Sequence, residues 1–533
     1  MTAGLIPGSP HEPAALPEPP PGGSEGGSLA ASVLVPALPA ASMLLLGLWR
    51  LDRGMWWDEI TTYEVATRSL PDILRLLHTV DAVHGLYYLV MHLLLPPGAG
   101  DALLLRLPSV IGMAAAAAGT AAIGRRLAGP ATGLTAGLVL AAMPLASRYA
   151  QEGRSYALVT ASVVFSTLAL LRALERPTAT RWTAYTALVL PTTFLHPFAV
   201  LMLGAHGASL LAVRAPRRIL RRWLCSAVPT VVCATLFIAY VRAQAAQVNW
   251  LLTPTWSAVT DLIRQFAGPT TTMTAVTLAV TACGALSADR WAAGSARIRG
   301  FALPWLLLPP GTLFAFSLIE PVYNERYVLY SLPALALLVA GGLNAMACGA
   351  AALLAQHRRT APRNVAKRLP QGLPKRMLAA ALGLGMPAAL LFAQLPTHDW
   401  LRSVESRTDD QTAAARLLAE HGRDGDAVVF LPGTKRGVAY VYRHAFAGLN
   451  DVLLQQSPTR SATLTGTEVP AHRIRRLLDD QKRVWVVERA TSTRRPDRRT
   501  TSAAKRKTLR EDFHLAYEEA GWGLTVSLYV RDS

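Results

Sequence analysis

Trp56-Trp57-Asp58-Glu59 follows the first long apolar block of the chain, residues 29–49. Two indoles suit the boundary between membrane and water. Two adjacent carboxylates at such a boundary are costly to place, so they are functional candidates by default. An apolar helix that emerges into water at this tetrapeptide makes residues 50–103 a large first loop on the far side of a bilayer.

The rest of the 533 residues fits that beginning. They are 51% hydrophobic and only 16% charged, where a soluble protein carries about a quarter charged residues. Further apolar blocks lie at about 104–124, 131–149, 155–173, 182–196, 198–213, 223–241, 271–287, 300–319, 328–348 and 377–395. That predicts about eleven transmembrane helices, several near the roughly 20 residues a bilayer requires. The stretch 84–96 is apolar too, but at about 13 residues it suits an interfacial or re-entrant helix.

The formal net charge is +19, yet much of the excess sits in short loops between apolar blocks. That is a positive-inside pattern and argues against a nucleic-acid partner. With the N-terminus cytoplasmic and 84–96 not crossing, Arg125-Arg126, the 214–222 cluster and the 358–376 run all fall inside. Blocks 182–196 and 198–213 then form a tight hairpin at His196-Pro197. Residues 1–28 contain no Lys or Arg, so they read as a disordered cytoplasmic leader and not as a cleaved signal peptide. Cys225, Cys233, Cys283 and Cys348 all lie in apolar blocks with no CxxC pair. Buried small hydrophobes are expected there, with neither a disulfide framework nor a thiolate metal site.

After residue 395 the chain turns hydrophilic. Short β-rich runs at Ala427–Leu431, 484–487 and Leu524–Val530 alternate with a helical pattern at 412–421. This predicts a small extracytoplasmic α/β domain over 396–533, beside a membrane module over 29–395. The basic segment 494–510 is expected to be a solvated loop.

The external face then collects the polar motifs. Asp58 or Glu59 could take a proton from an attacking hydroxyl, or the pair could simply favour the start of a helix. In Gln151-Glu152-x-Arg154-x-Tyr156, Arg154 has the fork that binds phosphate. Glu152 would orient it or meet a sugar hydroxyl, and a headgroup anchor is the plainer reading. Asp81-Ala-Val-His84-Gly-Leu-Tyr87-Tyr88 opens the short helix, where His84 could ligate a metal, donate to a phosphate or cap. His196 is a polar turn residue or a site residue. Arg326, in Glu325-Arg326-Tyr327, is a second cation near the phosphate or half of a loop ion pair.

In these residues the chain resembles the GT-C superfamily of polyprenyl-phosphate-dependent glycosyltransferases. Within it, the bacterial relatives of protein O-mannosyltransferases and of the lipid A aminoarabinose transferase look most similar. The motifs above, together with Arg106-Leu-Pro-Ser109, appear in that family's order over roughly the first 350 residues. The resemblance implies a periplasm-facing site, a polyprenyl-phosphate sugar donor, inversion at the anomeric carbon and Asp58 as base, assisted by Glu59. It implies donor contacts from Arg154, Glu152, His84 and Arg326, with Asp81, Tyr87, Tyr88, Tyr156 and His196 positioning the substrate. The sugar is mannose or another hexose or pentose, and the acceptor a glycan, lipid or protein. No metal ligand set is assigned, and a divalent-cation requirement stays open. Where the family usually carries His-Pro-Pro, this chain has His84-Gly85-Leu86, which loosens the helix start. A transporter or flippase is the competing class, but transporters bury charge at the midplane in repeated broken helices. Here the acids cluster at the ends of spans.

Overall fold

The computed structural model describes residues 25–96, 101–244, 251–289, 292–360, 375–490 and 500–531. Most of the leader expected over 1–28 therefore lies outside the described residues. Among the described residues, sixteen α-helices run from Glu25 to Trp400. They are α1 (Glu25–Leu48), α2 (Trp57–Ala66), α3 (Leu70–Thr79), α4 (Gly85–Leu94), α5 (Ala102–Ala128), α6 (Pro130–Ala142), α7 (Pro144–Ala150) and α8 (Tyr156–Glu175). Then follow α9 (Ala179–Leu195), α10 (Leu201–Ala212), α11 (Arg217–Arg242), α12 (Trp256–Ala267), α13 (Thr271–Leu286), α14 (Ser295–Ser317), α15 (Leu332–Thr360) and α16 (Lys375–Trp400).

Among the described residues five helices are long and apolar enough to cross a membrane: α5, α8, α11, α14 and the run Glu325–Leu353. Block 131–149 is not one rod. Its two halves, α6 and α7, meet at 67° and would make a sixth span. Pro144 explains the break, because its ring pushes the preceding residue out of the helical region; Met143 is extended at φ −73, ψ 124. Shorter apolar helices, among them Ser32–Leu48, Pro197–Ala212 and Thr271–Leu286, account for further blocks. α4 has ten residues, about 15 Å of rise, which is half a hydrocarbon core.

Close packing depends on small residues where helices cross. A Cβ on Gly133 of α6 would sit 2.5 Å from the Ala121 carbonyl oxygen of α5, so only glycine lets the two backbones approach. The chain reverses at 196–200, and Tyr185 of α9 thereby meets His206 of α10 at 2.9 Å. The four cysteines lie on apolar helices, but all are exposed or half-exposed and none is in the packed interior. Their surroundings are the apolar outer faces of α11, α13 and α15.

Beyond α16 the chain builds a four-stranded sheet ordered β1-β4-β6-β5 from β1 (Ala427–Leu431), β4 (Arg483–Arg489), β5 (His514–Ala520) and β6 (Leu524–Val530). β1 and β4 are parallel, in the register Val428 to Trp485, while the other pairs are antiparallel. A short antiparallel pair, β2 (Leu454–Gln456) with β3 (Thr467–Glu468), stands apart. Both faces of the central strands are covered. Val428, Phe430, Trp485 and Val487 pack on one side, and Val429, Leu431, Val484 and Val486 on the other. The segment 494–510 departs from the expected loop. Its first part lies outside the described residues, and Thr501–Asp512 is a helix. Lys505, fully buried on that helix, donates to the Phe430 carbonyl at 2.8 Å and to Glu468 at 2.6 Å.

Candidate active site

α2 carries both acids of Trp57-Asp58-Glu59 in its first turn, and a helical step of 100° sends neighbours to different faces. Asp58 points to a polar hollow with its side chain 18% exposed. Its Oδ2 lies 3.1 Å from Arg326 Nη1 and 3.8 Å from Arg154 Nε. These arginines come from the turn before α8 and from the 3₁₀ turn Glu325–Ser331. Arg154 also donates through Nη1 to Thr62 Oγ1 at 3.3 Å and through Nη2 to His84 Nε2 at 2.7 Å.

His84 ends the 3₁₀ turn Ala82–His84. Burial first, then the charge of Arg154, lowers its imidazole well below the usual range. It is therefore neutral, and since arginine only donates, Nε2 is the bare nitrogen and Nδ1 carries the proton. Asp81 precedes it in the left-handed region at φ 62 and accepts from the Tyr88 hydroxyl. Burial raises the Asp81 carboxyl above the ordinary aspartate range, against the pull of Arg154.

An aromatic group closes the other side. His196 lies 4.9 Å from Tyr327 and 5.8 Å from Tyr156, ring to ring. The Arg326 guanidinium sits 5.6 Å over Tyr156 and 5.8 Å over Tyr327. Desolvation, with Arg326 and Arg154 nearby, lowers His196 to about 3, so it too is neutral.

Asp58, Arg154, His84, Asp81, Tyr88, Tyr156, His196 and Arg326 thus meet in one place. Three residues expected there stand aside. Glu59 is wholly buried, its Oε1 and Oε2 gripped by Arg106 Nε at 2.8 Å and Nη2 at 2.6 Å, with the Gly153 N–H on Oε1 at 2.9 Å. Burial alone would raise its carboxyl, but Arg106 brings it down to about 2. With both oxygens occupied and its side chain fully buried, Glu59 ties α2 to Arg106 and Gly153. Glu152 does not orient Arg154 through its side chain; its Oε1 accepts from Arg407 and lies 3.5 Å from Arg148 Nε. Tyr87 packs into the hydrophobic core.

The partners of these anchors carried no readable role in the sequence. Arg106 ties the loop together by donating to the carbonyls of Leu51, Arg53 and Gly54 at 2.7–2.9 Å. Ser109 of the same motif holds the Glu152 carbonyl at 2.6 Å. Arg407 lies 255 residues beyond Glu152, so no local pattern could join them.

Among the described residues no three His, Cys, Asp or Glu side chains gather as a metal-binding group. The donor set around Asp58 also argues against a resident divalent cation, because two guanidiniums already face that carboxylate. Beside the hollow lies an apolar cavity of about 530 Å³, lined by residues including Ala82, Gly85, Leu89, Phe194 and Phe237. Its wall runs through the residues on either side of His84.

No protein-family model matches the chain, and no curated protein matches its sequence. Solved structures do resemble it. The crystal structure of ArnT from Cupriavidus metallidurans bound to undecaprenyl phosphate superposes with a TM-score of 0.57 at 13% identity, covering 95% of this chain and 98% of that one. The apo form of the same protein gives 0.57 at 14% identity, with coverages of 94% and 98%. Arabinofuranosyltransferase AftD from Mycobacteria is more distant, with a TM-score of 0.46 at 14% identity over 94% of this chain and 40% of that one. The ArnT likeness extends over nearly both whole chains, so this chain shares the fold of those structures.

Proposed function

We propose that the chain is a membrane glycosyltransferase. It moves a sugar (mannose or another hexose or pentose) from a polyprenyl-phosphate donor to an extracytoplasmic glycan, lipid or protein acceptor, with inversion. The observation that carries this reading is the convergence of Arg154 and Arg326 on a single oxygen of Asp58, with Arg154 bound to His84, whose neighbours Ala82 and Gly85 line an apolar cavity. An anion site between two arginines, with an apolar cavity one turn of chain away, suits a lipid phosphate. That an ArnT structure carries undecaprenyl phosphate supports a carrier of this class.

In the free protein Asp58 offsets half of the charge of the two guanidiniums. When a donor phosphate takes up their charge, the carboxylate is released toward the acceptor hydroxyl. The hydroxyl oxygen attacks the anomeric carbon, the carbon–oxygen bond to phosphate breaks, polyprenyl phosphate leaves, and the acceptor proton passes to Asp58. Phosphate is already a good leaving group, so no acid is needed behind it. His84 holds Arg154 in place through its bare Nε2. The neutral aromatic group of His196, Tyr156 and Tyr327 offers a face for the sugar ring.

The test is sugar transfer from a radiolabelled polyprenyl-phosphate sugar, using the protein reconstituted in vesicles with a cell-envelope acceptor fraction. Label that appears covalently on the acceptor supports the reading. Label that crosses the bilayer still attached to its lipid would make the chain a flippase.

A further inference from the structure

The helix that carries Asp58 has no cap of its own. α2 begins at Trp57, and the residue before it, Trp56, is extended at φ −100, ψ 173 and offers no side-chain acceptor. The first N–H groups of a helix need partners from outside it. Here the partner comes from 352 residues away, where Asp409 Oδ1 accepts the Trp57 N–H at 3.0 Å. Asp409 Oδ2 is held by Lys435 Nζ at 2.5 Å, with the two side chains only 4% and 6% exposed. Lys435 Nζ also sits 5.3 Å over the Trp57 ring.

The grip continues on both sides. Thr412 Oγ1 accepts the Met55 N–H at 3.0 Å, and the Gln411 N–H meets the Met55 carbonyl at 3.2 Å. Gly437 lies flat against the helix, since a Cβ there would stand 3.0 Å from Ile60 Cγ2 and 3.3 Å from the Trp57 ring. Asp58 is the second residue of α2, so its direction is fixed only while the first turn stays wound. A carboxylate at this end also complements the helix dipole.

We propose that Asp409, locked by Lys435, is a positioning residue that caps α2 from the C-terminal part of the chain and so fixes Asp58 between Arg154 and Arg326. The proposal rests on the reading of Asp58 as the base. It makes the segment that follows α16, with the sheet behind it, a working part of the site.

The test compares Asp409→Ala with the double variant Asp409→Asn, Lys435→Met in the full chain reconstituted in nanodiscs. Alanine removes the acceptor for the Trp57 N–H. Asparagine keeps an oxygen there, and methionine removes an ammonium that would otherwise be buried unpaired. Two readouts are taken, steady-state transfer and amide exchange over residues 56–60. Asp409→Ala should lower kcat roughly ten- to a hundredfold, as small misplacements of a reacting group do. Its donor KM should move less than about threefold, since both arginines remain. Exchange at 56–60 should accelerate. The double variant should keep kcat within about threefold of wild type, with protection intact.

Unchanged exchange at 56–60 in Asp409→Ala overturns the cap whatever the protein transfers. That separates it from failure of the functional reading, which would show as a wild type without transfer. Equal impairment of both variants also overturns the proposal, because contact with Lys435 and not the cap would then govern. Should the alanine variant fail to insert, loss of kcat and protection in the double variant is the overturning result.

Discussion

Asp58 and Glu59 are neighbours in sequence and opposites in environment. One faces a polar hollow between two arginines, while the other is sealed with both oxygens spent on Arg106 and Gly153. Removing one member of a buried ion pair typically costs about 3–5 kcal/mol, so Glu59→Gln should lower the Tm sharply. The Glu59 carboxyl falls from 4.5 to about 2 on folding, so its contribution is present above pH 4.5 and fades as pH drops toward 2. The Tm gap between wild type and Glu59→Gln should therefore be widest above pH 4.5 and shrink in acid; a gap independent of pH contradicts the pairing. His84 and His196 are both held below 6.5, so they stay neutral as pH rises from 6 to 8. The kcat profile should then carry no histidine limb near 6.5, and a limb there would mean one of them titrates in the working enzyme. Arg154→Lys keeps the charge but not the fork. It should raise the donor KM and lower kcat/KM, whereas unchanged donor kinetics would return Arg154 to a membrane anchor.

At the scale of elements, the short helix α4 separates two environments. His84 at its start meets Arg154, while Gly85, Leu86 and Leu89 line the apolar cavity with α9 and α11. If this cavity receives the lipid chain, Leu89→Trp should raise KM for a long polyprenyl donor and leave a short-chain analogue nearly unaffected. Equal effects on both donors would place the lipid elsewhere. The shortness of 84–96 was legible in the sequence, because its length cannot span a bilayer. The break inside 131–149 was legible only in part. Pro144 marked it, but hydropathy averaged over the two halves reads as one span. Strand runs such as Ala427–Leu431 announce themselves by β-branched residues. The helix Thr501–Asp512 did not, since a run of basic residues reads as solvated until Lys505 finds Glu468 and the Phe430 carbonyl.

For the whole molecule, the acids and arginines that meet around Asp58 were readable because charges at the ends of apolar blocks stand out against their background. Their supports were not. Arg407 and Asp409 come from after α16, and only the folded chain brings them to Glu152 and to the start of α2. The proposed orientation puts the 350–376 loop in the cytoplasm and the sheet outside. Cysteine labelling from outside should reach a probe at Thr465 but not one at Thr360, and the reverse pattern would move the hollow to the wrong side of the membrane. The measurement that bears most directly on the account is transfer by Asp58→Asn beside wild type, with thermal stability recorded on the same samples. Asparagine keeps the shape of the side chain but cannot take the acceptor's proton. The account predicts an inserted protein with near-native Tm and transfer lowered by at least about 10²–10⁴-fold, the usual share of general-base assistance. Near-normal turnover by a stable Asp58→Asn protein would contradict it.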